Sequence, residues 1–569
     1  MNRKALRRMA WPDALLLTGV LYAVVALCLD MQFAVNDDTS ILRTFMGYES
    51  LIPSFHLLLH GLLTWPLKWL GEAYPGVAWY SIFQIVFLAF GCVLIAKSVI
   101  QCFVNQGRSF WLGAAFAAVF LAAFCLANCA RVTFTCTAAL LGAAAVLQLL
   151  SIDYREGSGA AVFGGVLLAL VPAVLCYALR QIALWPALGF CGVAAAYSAA
   201  RFHRPFCKNG RGLAPLLAGV LAVAAVFAGL MVWRAVEEKD HQEYLRWSNV
   251  PLIDYYDMKD LTPEMLASAG WNDTTVQMAR RFCYLNPDMT TESMETLVAC
   301  EQSIPRSQSR LAQGVSLAAG ALFGSDAFRF SVYVVLALLL ACAAGLLLKG
   351  GANPWRWAFL AAKLLLFAAC LLYLGYQGRL PQRALLTVLL PFSAALLGLL
   401  PQCLPDGRKG LVAGSVCLAV CLLFTGLYLA GSLPGWLPDQ EEEDAVGNPS
   451  EALDAYALAN PETLFVYDDT LVSDARMFPD VSEGIPTNVV FWGGWSFRSQ
   501  ASYAQFAAFD IDLDSIDPEM WLRDDICLAT GVVDPPPRLM LEYLQEKVDP
   551  DADCFLAGED GGVYFYQFY

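Results

Sequence analysis

Eleven apolar runs, each about as long as a bilayer is thick, punctuate the first three quarters of this chain. Nothing else in the sequence constrains its fold as much. They lie near residues 11–30, 77–97, 109–127, 132–151, 159–178, 181–200, 213–235, 328–348, 355–375, 382–401 and 410–432. About twenty apolar residues wound as a helix span a hydrocarbon core ~30 Å thick. With 58% hydrophobic and 15% charged residues, the chain has too little polar surface to cover itself in water. The sequence therefore predicts an α-helical polytopic membrane protein. The basic start, Arg3-Lys4-Ala5-Leu6-Arg7-Arg8, leads into an apolar segment that continues to Asp30 without a small-residue cleavage site. It reads as an uncleaved first span.

Charge divides the chain. The net charge is −15, yet residues 433–569 carry 28 acids against 5 bases, so the remainder is positive by 8. The tail reads as a water-exposed acidic domain, and the bases cluster in loops of the membrane part. No basic patch with interleaved aromatics occurs, so nucleic acid is not an expected partner. The 18 cysteines lie mostly in apolar runs, where a thiol acts as a small hydrophobe. No CxxC or Cys/His metal spacing appears. Cys283/Cys300 and Cys527/Cys554 are candidate pairs only if their segments face an oxidising space.

The stretch 51–71 is apolar but short, and holds Pro53, His56, His60, Pro66 and Lys68. The positive-inside rule decides its placement. The N-terminus, Lys97/Arg108, the basic loop 201–211, Lys349/Arg356 and Arg408/Lys409 all fall on the cytoplasmic side only if 51–71 does not cross. It is expected to lie on the outer face as an amphipathic or re-entrant helix. A twelve-span alternative would put loop 201–211 outside. The expected organisation is a transmembrane module (1–235) with an outer loop at 31–76, an extracytoplasmic region (236–327), further membrane helices (328–432) and an extracytoplasmic α/β domain (433–569). In that domain Thr463-Leu464-Phe465-Val466-Tyr467, Asn488-Val489-Val490-Phe491-Trp492, Ile526-Cys527-Leu528-Ala529 and Val563-Tyr564-Phe565-Tyr566 read as strands and 537–547 as a helix. The acidic run Glu441-Glu442-Glu443-Asp444 reads as a linker.

The outer loop opens with Asn36-Asp37-Asp38. Adjacent carboxylates repel, which favours a raised pKa for one of them. Such a pair suits a general base for a hydroxyl acceptor, or a divalent ion such as Mg or Mn. An Asx turn with solvated acids is the plainer alternative. Arg131, Arg180, Arg379 and Arg383 fall in other outer turns, against the positive-inside rule. Guanidinium groups bind phosphate in a bidentate way, so several at one depth suit a phosphate or pyrophosphate lipid head group; snorkelling to membrane lipid in general is the alternative. His56 and His60, four apart, would share a helix face. That is also a metal-ligand spacing, but no third ligand is evident. Interfacial packing or substrate hydrogen bonding is favoured, and no metal ligand is assigned. Asp468/Asp469 and Asp510/Asp512/Asp514 read as solvated surface.

A first span, an outer loop opening on an acid pair and a proline-led juxtamembrane segment, Pro53-Ser54-Phe55-His56, resemble the C-type (GT-C) membrane glycosyltransferases over about the first 240 residues. The chain also resembles a group of uncharacterised membrane proteins of Gram-positive anaerobes at Asn36-Asp37-Asp38, Pro75-Gly76-Val77-Ala78-Trp79-Tyr80, Phe134-Thr135-Cys136-Thr137-Ala138-Ala139, Gly378-Arg379-Leu380-Pro381-Gln382-Arg383 and Gly493-Gly494-Trp495. The GT-C resemblance implies a multi-pass protein of the bacterial cell membrane. It implies a polyprenyl-phosphate or polyprenyl-diphosphate sugar as donor, and Asp37 or Asp38 as catalytic or metal-binding acid. A transporter or flippase of lipid-linked sugars, and a non-catalytic scaffold displaying the acidic domain, are the competing expectations.

Overall fold

The computed structural model describes residues 3–154, 159–209, 213–250, 261–304, 309–325, 327–349, 354–378, 380–437, 448–471 and 475–569, apart from the side chains of 3–5, 201–209 and 213. Its first span, α1 (Arg3–Cys28), leads to a two-residue strand β1 (Gln32–Phe33), then α2 (Asn36–Met46) and α3 (Gly61–Ala73). The spans α4 (Trp79–Asn105) and α5 (Phe110–Ala130) precede strand β2 (Arg131–Val132), which pairs in parallel with β1. Next come α6 (Phe134–Ser151), α7 (Gly159–Leu179), α8 (Gln181–Asn209) and the long α9 (Ala214–Ser248). Short helices α10 (Pro263–Ser268), α11 (Asp273–Arg280), α12 (Thr291–Ser303) and α13 (Arg310–Phe323) follow. The spans α14 (Phe328–Leu348), α15 (Pro354–Tyr376), α16 (Gln382–Cys403) and α17 (Gly407–Ser432) complete the bundle. Among the described residues eleven helices are long and apolar enough to cross a membrane, and they coincide with the eleven apolar runs.

Every residue of α6 is buried, so this helix is the bundle's axis. Its composition explains why. Without a hydrophobic force between helices in lipid, small residues that admit close neighbours mark the packed faces. A Cβ added at Gly142 would lie 2.8 Å from the Ala187 Cβ, and one at Gly398 of α16 would lie 2.6 Å from a Leu150 methyl. The loops divide cleanly between two ends. At one end Arg7 pairs with Asp153 at 2.6 Å, Arg108 donates to the Pro401 and Pro405 carbonyls, and Lys349 donates to the Gln402 carbonyl. The other end carries α2, α3, β1, β2 and the C-terminal domain.

Residues 51–60 are irregular, and helix starts only at Gly61. The segment does not form the continuous helix expected over 51–71, and His56 and His60 do not share a helix face. Their rings prevent it: each Nδ1 accepts a backbone N–H two residues on, from Leu58 and Leu62, so side chain competes with helix. Arg234 of α9 fixes the result. It donates to the carbonyls of His56, Leu57 and Leu59 at 3.0–3.1 Å and pairs with Glu238 at 2.8 Å.

The C-terminal domain has α18 (Pro449–Ala459), β3 (Leu464–Tyr467), β4 (Val489–Phe491), α19 (Gln500–Ala507), β5 (Ile526–Thr530), α20 (Pro536–Lys547), β6 (Cys554–Asp560) and β7 (Val563–Phe568). The sheet order is β4-β3-β5-β7-β6, with β3, β4 and β5 parallel and the last two strands antiparallel. The sequence reading missed β6, whose residues are mostly exposed and lack a clean alternation. The end of α9 and the residues between it and α12 do not stand apart: Trp247, Trp271 and Tyr284 share one core with Trp492, Phe497 and Trp521. Cys283, Cys300, Cys527 and Cys554 are free thiols, so neither candidate pair is a disulfide. The acidic run 441–444 lies outside the described residues. Asp468 corrects another expectation. It is buried, not solvated, and its carboxylate accepts from the backbone and hydroxyl of Thr470.

Candidate functional site

Asp37 and Asp38 begin α2, where acidic side chains complement the positive helix end. Their fates then separate. Asp38 is fully buried; its Oδ1 accepts from the Tyr80 hydroxyl at 2.6 Å and from the Phe134 backbone N–H, at the start of α6, at 2.9 Å. Its Oδ2 has no partner. Burial pushes its pKa up to about 8, against the lowering influence of those two bonds. Asp38 thus ties α2, α4 and α6 together. Asp37 stays partly open. Its Oδ2 lies 3.2 Å from Nη1 of Arg383, in the first turn of α16, and its Oδ1 accepts from the Trp495 indole N–H at 3.1 Å.

The pair does not fit a divalent ion. One carboxylate is sealed in the interior and the other already faces a guanidinium, so their oxygens do not converge on one point. Among the described residues no group of three or more His, Cys, Asp or Glu side chains is placed to hold a metal.

Arg383 also lines a cavity of about 630 Å³ at the same end of the bundle. Arg131 lines it too, as do Asn128, Thr133 and Gln382, with apolar walls from Phe328, Leu386 and Trp436. That volume falls within the roughly 300–1,000 Å³ usual for small-molecule sites. Arg131 is held by the carbonyls of Asp30 (2.6 Å) and Gly435 (3.0 Å), neutral partners that leave its charge in place. Among the described residues no acidic side chain lines the cavity. Arg131 on neutral carbonyls, Arg383 shared with Asp37, amide and hydroxyl donors and a greasy wall suit an anionic head group on an apolar tail.

Of the other sequence candidates, Arg180 lies with its guanidinium 5.2 Å from the Phe134 ring, not on the cavity wall. Arg379 lies outside the described residues. His60 caps α3, and its two ring nitrogens contact the Leu62 N–H and the Leu230 carbonyl, so it is structural. His56 is buried, with its ring 5.1 Å from that of Trp495. Because Nδ1 accepts from Leu58, the neutral ring carries its proton on Nε2, which has no partner. Burial, then the nearby Arg234, lowers its pKa to about 3, so it is neutral near pH 7 and not a phosphate-binding cation.

Trp495 was not singled out as a site residue. It lies 458 positions from Asp37, and no spacing rule links them. The two preceding glycines explain its reach. A Cβ at Gly493 would collide with the Phe282 carbonyl, and Gly494 has a φ of +77°. The Tyr244 hydroxyl donates to the Trp495 carbonyl at 3.0 Å and steadies it from α9. No family model matches this chain, and no curated protein or solved structure does either.

Proposed function

We propose that this protein is a membrane glycosyltransferase of the GT-C type. It would move a sugar from a polyprenyl-phosphate-linked donor to an acceptor at the extracytoplasmic face of a bacterial membrane. The observation that carries this reading is the shared use of Arg383, which lines the arginine-bearing cavity and holds the Asp37 carboxylate at its edge. The donor phosphate would sit on Arg131 and Arg383, with its chain along the apolar wall. Asp37 would take the proton of an acceptor hydroxyl as that oxygen bonds to the sugar's anomeric carbon. The anomeric carbon–phosphate oxygen bond breaks, and polyprenyl phosphate leaves with the electron pair, its charge met by the guanidinium groups. Asp38 shapes the site rather than reacting.

A transporter of lipid-linked sugars is the second reading. It gains from Lys363, fully buried within α15 and donating to the Ala395 carbonyl, because a cation inside a span is costly and often functional. Purified protein in detergent separates the two. Transfer from polyprenyl-phosphate-linked hexoses without a sealed bilayer supports the transferase, and its loss in Asp37→Asn supports the base. Undiminished transfer by Asp37→Asn would refute the role given to that residue. Activity that needs a sealed bilayer and a gradient would favour transport.

A further inference from the structure

We propose that a second cavity, against the side of α2, binds a neutral or amino-bearing sugar ring. Resting on the transferase reading, we identify it as a subsite for a ring of a longer acceptor, away from the reacting hydroxyl. The cavity has a volume of about 260 Å³ and lies between α2 and the C-terminal domain. It is smaller than the roughly 300 Å³ at which drug-sized sites begin, so it suits one ring rather than a chain.

Its lining is polar in a particular way. Arg43 of α2 makes a bidentate pair with Asp454 of α18, at 2.8 and 3.0 Å, while its guanidinium lies 3.8 Å from the Tyr48 ring centroid. Arg476 pairs with Glu451. Each pair offers donors and acceptors with little net charge, which is what hydroxyl groups of a sugar use. Asp480 and Glu483 add two further carboxylates to the wall. The lining therefore carries four acids against two arginines, and it repels anions. Leu42 and Leu458 supply apolar surface for a ring face. Thr39 also lines the cavity, from the face of α2 opposite Asp37, because residues two apart on a helix point to opposite sides; the ring held here is therefore not the one that reacts.

The test uses the full chain in detergent and saturation-transfer NMR with methyl glucoside, glucosamine and glucuronate. Methyl glucoside and glucosamine should bind in the millimolar range and glucuronate should not. Ser482→Trp places an indole in the cavity from an exposed loop. It should cut both signals about tenfold while the melting temperature holds. Asp480→Asn with Glu483→Gln should admit glucuronate. No signal from any of the three sugars, equal signals from all three, or signals untouched by Ser482→Trp would each overturn the subsite. Asp37→Asn should leave methyl glucoside binding unchanged. A protein that binds methyl glucoside in this way yet transfers nothing would refute the transferase reading alone. One that transfers, with acceptor KM unmoved by Ser482→Trp, would refute the subsite alone.

Discussion

The two cavities differ in sign. The one in the bundle is walled by Arg131 and Arg383 without an acid among the described residues of its lining. The one along the side of α2 sets four carboxylates against Arg43 and Arg476. A cationic hollow in the bundle thus contrasts with a mildly anionic one against the C-terminal domain. The difference teaches that net charge, here −15, says little about a site. Local arrangement sorts an anionic ligand to one side and a neutral one to the other.

The sharpest way to break this contrast is at Asp37, the carboxylate paired with Arg383 of the cationic cavity. Asp37→Asn should lower transfer by about 10²–10⁴-fold, the range of a general base. It should not weaken binding of polyprenyl phosphate, since it releases Arg383 from its internal partner; a quantitative transfer assay and native mass spectrometry check both halves. Trp495→Phe keeps the ring against His56 and removes the N–H. A hydrogen bond to a charged group is worth about 1.5–3 kcal/mol, so transfer should fall by about 10- to 100-fold. Undiminished transfer would mean that Trp495 only packs.

Asp38 supplies the smallest effect and a check on the division of labour between the two acids. Its pKa is raised to about 8 in the folded protein by burial, whereas an unfolded aspartate titrates near 3.9. Between those values the folded state holds a proton that the unfolded chain has released, so stability falls as pH rises from about 4 to about 8. Glu49, pushed by burial to about 7, acts in the same direction. Asp38→Asn keeps an oxygen for Tyr80 and Phe134 and removes the titration. Its melting temperature should fall less between pH 5 and pH 8 than that of the unchanged protein, with transfer reduced only a few-fold. A loss of transfer equal to that of Asp37→Asn, with the melting profile unaltered, would reverse the roles.

The spans were legible because lipid imposes one simple rule on a helix, a long apolar run, and charge parity then placed 51–71 off the crossing path. The irregular backbone at 51–60 was not legible. It depends on Arg234, about 175 residues away, capturing three carbonyls, and on two histidines bonding their own backbone. The acid pair was visible as a pair, but not the burial of one member and the exposure of the other. Arg131 and Arg383 stood out as isolated arginines in short turns between apolar runs, and both line the cavity. Arg180 carried the same signal and turns instead toward the Phe134 ring. Trp495 left no local mark, since its role follows from how the soluble domain docks.

The most direct test of the central claim is native mass spectrometry of the detergent-purified chain with undecaprenyl phosphate and with undecaprenol, for the unchanged protein and for Arg131→Ala and Arg383→Ala. The account predicts that the phosphate-bearing lipid binds and the alcohol does not. Each substitution should weaken the phosphate lipid about tenfold or more, in line with loss of a charge-assisted contact. Equal binding of the two lipids, or binding unmoved by either substitution, would contradict it.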